Sequence, residues 1–246
     1  MIARTAGHIL ACAALWGLSC LAWASGLQVS PLSVTLTAGH GADGITLRNV
    51  GTDVVHAQVR VYHWTQQDGA EQLMPSSGLV ISPPMLQLNP GQQQLIRVIR
   101  AAAPPGGAGA VEDAYRVSID ELPVQASGER TLQFVIRQML PVFVAPAGSG
   151  ATAPRLQWSL QSDAGQTVLQ AVNTGNAHAQ LADISFVSSA NHRVEVSGGL
   201  AGYVLPGAVR RWTLKQPLDL ASGGTFEARI NGAAATQILS VAARTP

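Results

Sequence analysis

The chain has almost no cysteine. Its two, Cys12 and Cys20, both fall in the first 24 residues. Beyond them, disulfides, thiol nucleophiles and thiolate metal sites are excluded. Charge is scarce too: Asp, Glu, Lys and Arg make up 12 % of residues and the formal net charge is +1. That is no electrostatic footprint for nucleic acid. After residue 24 no apolar run reaches the roughly 20 residues of a membrane-crossing helix. No amphipathic helix period stands out there either. His40, His56, His63, His178 and His192 show no metal-ligand spacing such as H-x-x-x-H, so no metal is expected. G-x-S-x-G, HExxH and Gly-rich phosphate loops are missing, so neither an enzyme nor a cofactor is expected. The acidic pairs are Glu112-Asp113 and Asp120-Glu121, and the second reads as the end of a strand rather than a catalytic pair.

What is present begins with a leader. Arg4 gives a positive start, residues 8–21 are mostly apolar, and Ala22-Trp23-Ala24 is a small-x-small site ahead of Ser25. This reads as a cleaved signal peptide, residues 1–24, and therefore as export. Removing Arg4 leaves the remaining chain with equal numbers of basic and acidic residues. Hydrophobic residues reach 47 %, which favours large buried or sticky surfaces.

Short alternating segments separated by Gly, Pro, Asn and Asp recur along the rest of the chain, the pattern of a β-sandwich. Strands are expected at 27–36, with a phase break at Pro31, and at 45–49, 54–64, 79–81, 85–88 and 95–99. Asp68-Gly69 is a hairpin signal, and Asn49-Val50-Gly51 and Asn89-Pro90-Gly91 are turns. Residues 101–113 read as a loop. Strands follow at 115–122 and 131–144, the second being the longest apolar one. Residues 145–154 have the Pro, Ala, Gly and Ser composition of a domain linker. Shorter strands follow at 156–160, 167–173, 181–187, 202–205, 210–214, 226–231 and 237–241. The fold expected is all-β, with two sandwich domains at 25–146 and 147–246. Trp158, Trp212 and Tyr203 are expected in the second core; a carbohydrate platform is the alternative.

Four segments carry a family resemblance. They are Ile81-Ser82-Pro83-Pro84-Met85-Leu86-Gln87-Leu88-Asn89-Pro90-Gly91-Gln92, Gln94-Leu95-Ile96-Arg97-Val98, Tyr115 through Pro123, and Leu140-Pro141-Val142-Phe143-Val144-Ala145-Pro146. In that order they resemble the N-terminal domain of PapD-like periplasmic pilus chaperones. Asn173-Thr174-Gly175-Asn176 sits where the family has a turn in its second domain. Leu-Pro-Val-Phe-Val and the Tyr115-Arg116 pair resemble the archaic, spore-coat-type branch.

The resemblance implies two immunoglobulin-like domains in an angled, boomerang arrangement, working in the periplasm. It implies pilus subunits and an outer-membrane usher as partners. It also implies donor-strand complementation: the last strand of the first domain fills the gap left by a strand the subunit lacks. Leu132, Phe134 and Ile136 fall on the donor positions. Periodicity independently puts these three on one face, where burying each contributes about 1.5–3 kcal/mol. Such a row is ordinarily plain core, and an unpartnered one invites self-association. The family's carboxylate-anchoring Arg and Lys are replaced here by Ser33 and Pro141. Arg116, Arg137 and Arg130 are the candidate replacements. Two rival readings stay open: a pilus subunit or adhesin, and an extracytoplasmic β-sandwich binding module or enzyme.

Overall fold

The computed structural model describes residues 26–123, 135–148, 150, 152–163, 166–215 and 224–237. The expected leader lies outside them. Every regular element among the described residues is a strand.

Residues 27–144 form two sheets. One has the order β1 (Leu27–Ser30), β3 (Ala42–Asn49), β8 (Gln93–Arg100), β6 (Leu79–Ser82). The other has the order β2 (Val34–Leu36), β10 (Arg137–Val144), β9 (Asp113–Leu122), β4 (Val55–Gln67), β5 (Ala70–Pro75), and β7 (Met85–Leu88) also pairs with β4. The single strand expected at 27–36 is thus two strands in different sheets. Pro31 lacks an N–H and cannot continue a ladder, so the chain changes sheet there. β2 then runs parallel to β10, with Val34 beside Val142.

Alternation positions everything that matters. One parity of β4, β9 and β10 carries Ala57, Val59, Val117, Ile119, Leu140, Val142 and Val144 into the core of this sandwich. The other parity faces away, and there Trp64, Ala114 and Phe143 join the core of the chain's second half. Each face of the sheet therefore has its own apolar destination.

The second half also has two sheets. One is β11 (Leu156–Asp163), β12 (Gln166–Asn173), β15 (Val209–Thr213); the other is β14 (Arg193–Val204), β13 (Ala179–Ser188), β16 (Gly224–Ile230), β17 (Ala233–Gln237). Among the described strands, no sheet takes members from both halves. The same corner recurs in each. Buried Asn49 donates to the carbonyls of Asp53 and Leu88 and accepts from Gly51 N–H. Buried Asn173 donates to Ala177 and Val204 and accepts from Arg155 and Gly175. At Gly175 a Cβ would stand 2.4 Å from the Ala153 carbonyl oxygen, so this corner takes only glycine.

The Asp68-Gly69 and Asn231-Gly232 hairpins form, all four residues with positive φ, as two-residue primed turns require. Several expectations give way elsewhere. β5 is exposed along its whole length and its Leu73 and Met74 are adjacent, so it carries no hydrophobic alternation to read. β14 is far longer than the strand expected at 202–205. Its Ser197-Gly198-Gly199 stretch lacks strand-forming side chains, and its pairing with β13 shifts register there. β17 starts at Ala233, directly after the tight turn at Asn231-Gly232, and of the strand expected at 237–241 only Gln237 is among the described residues.

Candidate functional site

The outward face of β9 and its neighbours carries the polar groups of interest. Arg116 lies directly across from Tyr62 on β4 and from Pro141 on β10. Its guanidinium sits 3.7 Å from the Trp64 ring centroid and 5.3 Å from that of Tyr203. Cation–π attraction of this kind holds a cation in place without neutralising it. Glu71 of β5 is 3.6 Å away. Burial draws the Arg116 pKa down while Glu71 and Tyr203 push it back up. The side chain is only 12 % exposed, and its ion pair with Glu71 is longer than a hydrogen bond. A mostly buried cation so loosely paired is suited to an incoming carboxylate.

The seam beside it is well fastened. The Gln66 side-chain amide donates to the Tyr203 carbonyl and accepts from Leu205 N–H. Glu112 N–H donates to the Asn176 carbonyl, and the Glu112 carboxylate meets both the backbone and the ring of His178. Tyr203 is in the second core as expected, and there it also meets Trp64 at this seam. Alternation puts it in β14, but only the fold brings β4 to it. Trp158 and Trp212 are as expected, stacked on each other and packed against the second core. His63 packs edge-on against Tyr115 and meets Asp113 at 2.7 Å.

Arg137 is differently placed. It is paired across from Asp120, and its Nε donates to the Asp120 carboxylate. Arg60 and Ser118 donate to the same carboxylate. Burial pushes the Asp120 pKa up, but the hydrogen bonds from Arg137, Arg60 and Ser118 outweigh it and hold the carboxyl below its ordinary value. The next residue, Glu121, has a buried oxygen without a partner, and burial raises its pKa. Arg116 and Arg137 share a face and lie on adjacent strands, but Arg137 is hydrogen-bonded to its carboxylate, whereas Arg116 meets Glu71 only at 3.6 Å. Neither Asp120 nor Glu71 was singled out from sequence as a partner of these cations; only their positions in the register identify them.

Ile136 is half-buried, and its carbonyl accepts from Glu121 N–H. Leu132, Phe134 and Arg130 lie outside the described residues. Ser33 is exposed just ahead of β2. Among the described residues no three His, Cys, Asp or Glu side chains gather as metal ligands, and no helix is long and apolar enough to cross a membrane.

Residues 26–150 match the model of a family described as pili and flagellar-assembly chaperone, PapD N-terminal domain. No curated protein matches the chain significantly. Among solved structures, the chain is similar to one in the CsuC–CsuE chaperone–tip adhesion subunit pre-assembly complex from archaic chaperone–usher Csu pili of Acinetobacter baumannii. The TM-score is 0.67 at 21 % identity, over 87 % of this chain and 97 % of that one. It is also similar to the Pseudomonas aeruginosa CupB2 chaperone, with TM-score 0.61 at 16 % identity over 87 % of this chain and all of that one. The E. coli chaperone DraB gives 0.60 at 16 % over 87 % and 98 %. The all-β, two-sandwich fold is that of pilus chaperones, and the chain belongs to the pili and flagellar-assembly chaperone family.

Proposed function

We propose that this chaperone works in the periplasm, binds strand-deficient pilus subunits through residues 132–136 and passes them to an outer-membrane usher. The chain divides at 146/147 into a donor domain and a second sandwich. The reading rests on the family together with one observation, the parity of the last strand of the first domain. Leu140, Val142 and Val144 face the chaperone's own core. Counted back along the sequence, that parity runs through Ile136 to Phe134 and Leu132. The described pairing of β10 with β9 ends at Arg137, with the Ile136 carbonyl still accepting from Glu121 N–H. If the strand is extended backwards from there, Ile136, Phe134 and Leu132 form one apolar row able to complete another sandwich.

Arg116 is the anchor for the subunit's C-terminal carboxylate. It stands in the row of Pro141, so an arginine one strand away supplies the charge that Pro141 and Ser33 lack. Charge-assisted hydrogen bonds would then fix the subunit's end while the donor row fills its groove. Subunit folding on the chaperone drives capture, and the next subunit's extension displaces it. The experiment is periplasmic co-expression with candidate pilins and affinity capture of a one-to-one complex. Capture that depends on Leu132, Phe134 and Ile136 supports the reading. A folded, exported chain that captures no pilin favours a generic β-sandwich binding module.

A further inference from the structure

The lent strand needs a fixed starting point. Side chains along a strand alternate faces, so a slip of one residue would turn Leu132, Phe134 and Ile136 away from the groove they fill. Hydrophobic alternation does not prevent a slip of two, which restores the parity but shifts each side chain to a neighbouring pocket. A polar group tied to one position resists both.

Such a group stands at the root of the strand. Arg137 is the last described residue of β10 with a partner on β9, and that partner is Asp120. Asp120 is only 8 % exposed. Its two oxygens are divided. Oδ1 accepts from Arg137 Nε. Oδ2 accepts from Arg60 Nη2 at 2.7 Å, Arg60 Nε at 3.1 Å and Ser118 Oγ at 3.0 Å. One carboxylate therefore joins β4, β9 and β10, one residue away from Ile136. The Arg137 and Arg60 side chains are 63 % and 42 % exposed, so these pairs add little to overall stability. A displaced Arg137 would leave a nearly buried carboxylate short of a donor, which is costly. The arrangement is thus better suited to setting register than to holding the domain together.

We propose that Asp120 is a positioning residue for the donor strand, acting through Arg137 to fix the register at which Leu132, Phe134 and Ile136 are presented. This rests on the donor-strand reading above. It also separates Arg137 from Arg116: one positions the strand, the other meets the carboxylate.

The test compares the full-length wild-type chaperone with Asp120→Asn, Asp120→Glu, Arg137→Gln, Arg116→Gln and Phe134→Asp. Each is measured for binding of one pilin, prepared with a free C-terminal carboxylate and with a C-terminal amide. Asp120→Asn and Arg137→Gln should each lose roughly tenfold or more in affinity for both pilin forms, about the worth of one charge-assisted hydrogen bond. Asp120→Glu should recover part of the loss. Hydrogen exchange at the Glu121 amide, which donates to the Ile136 carbonyl, should quicken in Asp120→Asn without comparable change in the core strands. Arg116→Gln should lose affinity only for the free-carboxylate pilin. Wild-type binding by Asp120→Asn, or an Arg137→Gln loss that vanishes with the amidated pilin, overturns the proposal. So does a loss that merely tracks global unfolding. If Phe134→Asp abolishes binding while Asp120→Asn does not, the donor reading stands and this inference alone fails. If Phe134→Asp binds normally, both fail.

Discussion

The Phe143 ring lies flat on the His178 imidazole, with centroids 3.5 Å apart and planes 5° apart. Phe143 belongs to β10, the strand whose overrun would be lent to a subunit. His178 precedes β13 of the second half. The joint between the two halves is therefore built on the working strand itself, two residues from Pro141.

That joint is open to a direct test. His178→Ala removes the stacked ring and one partner of Glu112, whose side chain is 4 % exposed. The variant should lose about 2–3 kcal/mol, since it leaves a buried carboxylate with only its backbone donor. Thermal unfolding measures the loss. Small-angle scattering should show a broader spread of distances between the halves, and an unchanged profile would mean that the Gln66, Trp64 and Glu112 backbone contacts suffice to fix the joint.

The recurring Asn corner is expected to be structural in both halves. Asn173→Ala strips two carbonyls and two N–H groups of their partner in a buried setting. A cost of about 3 kcal/mol is expected, near the upper end for single substitutions. Denaturant midpoints for Asn173→Ala and Asn49→Ala give the comparison, and both should fall.

Two neighbouring carboxyls should move stability with pH in opposite directions. The Asp120 pKa is lowered by its donors in the folded chain. Its contribution is present above the unfolded value and is lost as pH falls through the folded one. Asp120→Asn should therefore be slightly less stable than wild type at pH 7 and equal to it in strong acid. The Glu121 pKa is raised by burial. Its contribution is present below the unfolded value and is lost as pH rises through the folded one. Glu121→Gln should therefore be more stable than wild type at pH 7, with the gain gone in acid. Denaturant titrations across the carboxylate range measure both.

Arg116 offers an optical readout. Its guanidinium lies on the Trp64 ring, and only Trp158 and Trp212 share the chain after residue 24. Arg116→Gln should change Trp64 emission and weaken binding of a free-carboxylate pilin by roughly tenfold or more. The wild-type affinity should also fall with added salt, by less than an exposed pair would show, because the cation is mostly buried. Emission recorded in Trp158→Phe and Trp212→Phe backgrounds isolates the signal.

Much of this was legible in the sequence where chemistry is local. Asp68-Gly69 and Asn231-Gly232 announce hairpins because few residues tolerate positive φ. The alternation of Tyr115, Val117 and Ile119 and the apolar run Leu140–Val144 announce buried strands. Arg116 was legible as a candidate cation only through the family resemblance, with Ser33 and Pro141 marking what had been replaced. Its surroundings were not legible. Trp64 and Glu71 sit on the two arms of one hairpin, but Arg116 on β9 and Tyr203 on β14 lie far along the chain, and only sheet register and the joint bring them together. For the same reason Arg137 read as a free cation: Asp120 lies 17 positions away and faces it only once β9 and β10 pair. β5 escaped notice because an exposed edge strand has no buried face and so no alternating signature.

The central claim is that residues 131–136 become a strand of the subunit's sandwich. Amide hydrogen exchange of the chaperone, alone and in complex with a pilin, tests it most directly. The account predicts strong protection of the amides from 131 to 136 on binding, lost in Phe134→Asp. Unchanged exchange there, with protection appearing instead along another edge such as β5, would contradict it.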